Sequence, residues 1–123
     1  MKQLGIILSL LTLAGCAVTA PPQSELSKAN FGELPVNYQE LIKNDMPQRL
    51  KDPYSAQYEF SSPYKAWCQS GFSFYYGWLV PITINAKNSY GGYTGKQPKA
   101  YMINNGAARD FTAPYQTGGC GKA

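Results

Sequence analysis

The chain has 123 residues, a net charge of +4, only 15% charged residues and no histidine. That length suits one domain with a modest core and is too short for two. The missing histidine excludes Ser-His-Asp and Cys-His catalysis and removes the commonest transition-metal ligand. The bases are scattered, with neither a basic cluster nor a known module, which excludes a nucleic-acid interface.

Met1-Lys2-Gln3 opens the chain with one positive charge, and residues 5–13 follow as an almost uncharged apolar run. The apolar-rich stretch, residues 4–14, is about half of the roughly 20 positions that a membrane span needs. Small residues, Ala14-Gly15, then precede Cys16. Charged start, apolar run and small-residue cleavage site together make a secretory signal peptide. Leu13-Ala14-Gly15-Cys16 resembles the lipobox of bacterial lipoproteins, whose cysteine is acylated before the leader is cut off. The resemblance implies a signal peptide over residues 1–15 and lipidation of Cys16, palmitate included. Each buried CH₂ of an acyl chain contributes about 0.8 kcal/mol, and several chains hold a protein on its membrane. Ala17 in place of Asp implies the outer membrane, with the domain facing the periplasm.

With Cys16 given to lipid, the three cysteines resolve into an anchor and a pair. Cys68 and Cys120, in an oxidising compartment, are expected to form a disulfide. The loop of about 50 residues that it closes corresponds to about 4 kcal/mol in the chain-entropy model. It would also hold the glycine-rich tail, Thr117-Gly118-Gly119-Cys120-Gly121.

Residues 16–34 read as the lipidated cysteine and a flexible tether, with Pro21-Pro22 barring a continuous helix. The globular domain is placed at 35–123. Residues 35–51 form a helical region with Val36, Leu41, Ile42, Met46 and Leu50 as its apolar stripe. Asn37 is the expected N-cap, with Glu40 completing a capping box. Pro47 interrupts the region, so that a first helix ends near Asn44 and a second starts at Asp45. Strands are expected at 57–60, 64–68, 78–86, 99–104 and 107–112, with residues 71–77 open between strand and loop. In 78–86, Trp78, Val80, Ile82, Ile84 and Ala86 face one way. Pro81 marks that strand as an edge strand or a bulged one. Asn105-Gly106 is a two-residue hairpin turn. The expected fold is α+β, an interrupted helical region packed on a small antiparallel sheet of three to five strands.

Residues 85–95, Asn-Ala-Lys-Asn-Ser-Tyr-Gly-Gly-Tyr-Thr-Gly, gather glycines, tyrosines and amides between the strongest strand and the hairpin. Glycines let a partner approach, and tyrosine supplies flat area and a hydroxyl at low entropic cost. One reading is a binding loop with Lys87, Asn88, Tyr90, Gly91, Gly92 and Tyr93 as its contacts. The other is a loop whose tyrosines fold back on their own sheet. Leu50-Lys51-Asp52-Pro53-Tyr54-Ser55-Ala56-Gln57-Tyr58, followed by residues 85–95, resembles a family of small exported bacterial proteins that pair these two elements. That family has no established activity, so the resemblance implies an exported domain and no catalytic residue.

The five carboxylates outside the tether, Glu40, Asp45, Asp52, Glu59 and Asp110, show no paired spacing for glycosidase or calcium chemistry. Gly91-Gly92-Tyr93-Thr94-Gly95-Lys96 lacks the phosphate-loop spacing. No catalysis, metal or cofactor is therefore expected. The expected role is a lipid-anchored envelope protein whose domain binds another envelope protein, as an accessory to a larger assembly. A glycan or small-ligand module using stacked tyrosines with Trp67 and Trp78 is one alternative. An inhibitor or phage-exclusion lipoprotein is another.

Overall fold

The computed structural model describes residues 19–123. The leader, Cys16 and Ala17 lie outside the described residues. The architecture is a six-stranded antiparallel sheet: β1 (Gln57–Phe60), β2 (Tyr64–Ser70), β3 (Ser73–Asn85), β4 (Gln97–Asn104), β5 (Ala107–Asp110) and β6 (Cys120–Lys122). Three short helices accompany it: α1 (Gln23–Lys28), α2 (Tyr38–Asp45) and α3 (Thr112–Gln116). The order is β5-β4-β3-β2-β6, with β1 also on β3.

This corrects the expected fold. The molecule is mainly sheet, and its helices are minor. The helical region shrinks because only Ile42 and Met46 are buried from it, while Val36 is fully exposed. Pro47 then confines the second segment to a single 3₁₀ turn, Met46–Arg49. Asn37 stands at the N-cap of α2, but its side chain makes no capping bond. The sheet grows at both ends. Residues 73–77, left open by the sequence, extend β3 to 13 residues. The tail adds β6, where Cys120 pairs with Cys68 across β2. Residues 112–116, split between expected strand and tail, form α3. The Asp110 carboxylate accepts the Thr112 amide at 2.8 Å, which turns the chain out of β5.

Pro81 lies in the central strand, not at an edge. β2 pairs with the first half of β3 up to Leu79, and β1 takes over at Ile82. Pro81 sits at this handover, where its carbonyl accepts the Ser61 amide at 2.9 Å. In an antiparallel ladder a residue's N–H and C=O point to the same neighbour. The missing proline N–H therefore faces the connection between β1 and β2, and no ladder bond is lost.

Both sheet faces are covered. Ile42 and Met46 pack on Val80, Ile82, Ile84, Tyr101 and Ile103, the face read from the alternation in 78–86. On the other face, α3 and Phe111 cover Ala66, Cys68, Leu79, Ala100 and Met102. Residues 30–34, counted with the tether in the sequence, dock on the sheet. The Trp78 indole donates to the Gly32 carbonyl at 3.0 Å, Asn104 donates to the Asn30 carbonyl at 3.0 Å, and Leu34 joins the core. Asn105 and Gly106 take φ of 53° and 74°, as the tight β4–β5 turn requires.

Tyr101, fully buried, donates its hydroxyl to Asp45 at 2.6 Å, and Arg49 Nε donates to the same carboxylate oxygen at 3.0 Å. Arg49 also reaches Asp110 at 3.4 Å, so the network ties α2 to β4 and β5. The Tyr101 hydrogen bond, followed by Arg49, holds the Asp45 carboxyl below its ordinary 3.8. Burial, and then donation to Asp45, pushes the Tyr101 phenol well above its ordinary 10.0. A depressed carboxyl stabilises the fold above its unfolded value and loses that contribution as the pH falls through the folded one. A raised phenol costs stability as the pH climbs past 10, where only the unfolded chain ionises. Tyr101→Phe is expected to cost about 1.5 kcal/mol at neutral pH. Urea unfolding across pH should show that it also flattens the loss of stability on both sides, below 3.8 and above 10.

Candidate functional site

Residues 86–95 form an ordered excursion between β3 and β4. Lys87 and Tyr93 pair across its base, and the Thr94 amide donates to the Ala86 carbonyl at 3.1 Å. Asn88 organises the tip. Its side-chain oxygen accepts the amides of Tyr90 at 2.9 Å and Gly92 at 3.2 Å, and its own amide donates to the Gly92 carbonyl at 2.8 Å. Gly91 takes φ of 80°, a conformation that a side chain would strain. Asn88 thus closes the tip of the loop through its side chain and its backbone.

The two elements that carried the family resemblance meet here. Asp52-Pro53 starts a 3₁₀ turn, Pro53–Ser55, which presents Ser55 to the loop. The Ser55 hydroxyl accepts the Lys87 amide at 2.8 Å, and the Tyr93 hydroxyl donates to the Ser55 carbonyl at 3.4 Å. The Lys87 ammonium lies 5.5 Å from the Tyr93 ring centre. Tyr93 therefore folds back on its own domain. Tyr90 does not: it is 96% exposed. Of the two readings of the loop, Tyr93 follows the one in which tyrosines fold back, and the Tyr90 ring stays in solvent.

Beside the loop lies a cleft of about 340 Å³. Leu50, Ile84 and Ala86 give it apolar lining, and Lys87, Asn88 and Tyr90 flank it from the loop. Arg49, Lys51 and Lys99 complete a rim with four cations, and no carboxylate lines the cleft. Gly91, Gly92 and Tyr93 do not line it. In the sequence the bases are scattered. Arg49 and Lys99 come together only because the 3₁₀ turn after α2 sits over the strand pair β3–β4. Lys51 and Lys87 carried a signal, as parts of the first and second motifs.

No family model matches the chain, and no curated protein or solved structure matches it either. Among the described residues, no group of His, Cys, Asp or Glu could hold a metal ion, and no helix is long and apolar enough to cross a membrane. Trp67 is buried, with Gly121 against its ring, and Trp78 spends its N–H on Gly32. Neither indole offers an open platform beside the loop. The Cys68 and Cys120 sulfurs stand at disulfide distance, 2.09 Å, on the sheet face that α3 and Phe111 cover, opposite the face packed by Ile42 and Met46.

Proposed function

We propose that this is a lipid-anchored envelope protein whose domain docks another envelope protein through the loop at 86–95. The observation that carries the reading is Tyr90. A loop whose tip is closed by Asn88 holds one aromatic ring almost wholly in solvent, at the rim of a cleft. Preorganised loops bind at low entropic cost, and tyrosines anchor interfaces. The anchor rests on the lipobox, Leu13-Ala14-Gly15-Cys16, and residues 17–29 give the reach between Cys16 and the domain. The outer membrane, periplasmic exposure and a role without catalysis complete the proposal.

Two variants test the two halves. Cys16→Ser should move the protein from the membrane to the soluble fraction on cell fractionation. Tyr90→Ala should leave it on the membrane and shift it, in native electrophoresis of gently solubilised membranes, from a larger complex to the monomer. A protein that stays monomeric before the substitution contradicts the docking half.

A further inference from the structure

We propose that the cleft beside the loop seats an acidic peptide segment of the partner, with carboxylates on the rim and an apolar side chain on the floor. This deepens the docking reading and rests on it. The rim supplies the charge argument. Arg49, Lys51, Lys87 and Lys99 surround the opening without an acidic residue among the lining groups. Arg49 is already engaged by Asp45 and Asp110 and is fixed in place by them. Lys51, Lys87 and Lys99 have no carboxylate within ion-pair distance among the described residues. The Lys87 ammonium lies over the Tyr93 ring, and the lining carries positive charge with no acid among its own residues, a charge that an anionic occupant offsets.

The floor decides the class of anion. Leu50, Ile84 and Ala86 present apolar surface within the cleft, and a bare phosphate has nothing to place there. A peptide matches both parts, since acidic and apolar side chains alternate along a short segment. Tyr90, beside the opening, adds contact area for its flanks. The hydrogen bonds of the loop hold Lys87 and Tyr90 beside the floor before any partner binds.

The test uses the full chain carrying Cys16→Ser, so that no acyl chain contributes. The probe is a fluorescein-labelled twelve-residue peptide alternating Glu, Asp and Leu. Its control carries Gln and Asn for Glu and Asp. At low salt the acidic peptide should raise anisotropy on binding, with the amide control at least tenfold weaker. The triple variant Lys51→Gln/Lys87→Gln/Lys99→Gln should bind at least tenfold more weakly. A second triple variant, Lys28→Gln/Lys65→Gln/Lys122→Gln, removes the same charge outside the cleft and should bind within twofold of the parent. Equal binding of both peptides overturns the proposal, as does equal loss in both triple variants. So does binding of phosphatidylglycerol vesicles through the three cleft lysines when the peptide does not bind, or complete displacement of the peptide by 1 mM inorganic phosphate. If the peptide fails while Tyr90→Ala still dissolves the native complex, the acidic segment is refuted and the docking loop stands.

Discussion

Reduction of the Cys68–Cys120 pair, or its replacement by alanines, should destabilise the domain by about 4 kcal/mol in the chain-entropy model. The two cysteines are 52 positions apart and directly opposed across β2 and β6. β6 has only three residues, and glycines precede and interrupt it. Its remaining ladder partners are Ala66 and Trp67, so the covalent link is what keeps it in register. Without it, the tail leaves the sheet and uncovers Trp67, whose ring lies so close to Gly121 that a Cβ there would stand 2.7 Å from Trp67 Cζ2. A small domain has only about 5–15 kcal/mol in total, so the loss is a large share. Urea unfolding of the oxidised chain against Cys68→Ala/Cys120→Ala measures it. Cys16→Ser is the matched control and should leave the midpoint unchanged. Alkylation of both Cys68 and Cys120 in the folded, exported protein would contradict the account.

Gly77→Ala should cost about 3 kcal/mol, at the upper end of ordinary overpacking. Gly77 is buried in β3 opposite Ala66 of β2, and β4 runs beside β3 on its other edge, with Ile103 paired to Trp78. An added Cβ would stand 2.6 Å from the Ile103 carbonyl oxygen and 2.8 Å from Met102 Cγ. Met102 is itself packed in the core, and the carbonyl belongs to β4 beside β3 and moves only with the backbone. Gly92→Ala is the contrast. Its added Cβ would meet only Asn88 Oδ1, at 3.9 Å, and its backbone needs no left-handed conformation. That variant should stay within about 0.5 kcal/mol of the parent. Thermal or urea midpoints of the two variants separate a packing glycine from a loop glycine.

Some of this was legible in the sequence. The alternation in 78–86 named the buried face of β3, because every second residue there is large and apolar. Asn105-Gly106 named its turn, because both residues need positive φ. Parity of the cysteines, once Cys16 was set aside, named the pair that the structure brings together. Other parts depend on tertiary contacts that leave no local pattern. Ser73–Gly77 carries aromatics on both sides and a glycine, so it shows no period of two, yet pairing with β2 makes it strand. β6 is too short and too rich in glycine to read as anything. Val36 fitted a helical stripe by spacing and ended in solvent, since the helix starts only at Tyr38. Pro81 signalled an edge, and only the break between β1 and β2 explains its place in the centre. Of the candidate site, the loop was visible as a run of unusual composition. The cationic cleft was not, because Arg49, Lys51, Lys87 and Lys99 come from three separate stretches that only the fold brings together.

The claim on which the functional account turns is that the surface around Tyr90 is where this domain meets its partner. A photoreactive phenylalanine analogue placed at position 90, in cells at native expression, tests it most directly. The matched probe is position 72, where Phe72 is equally exposed at the β2–β3 turn, away from the cleft. The account predicts a discrete crosslinked adduct from position 90 and none from position 72. No adduct from position 90, or the same adducts from both positions, would contradict it.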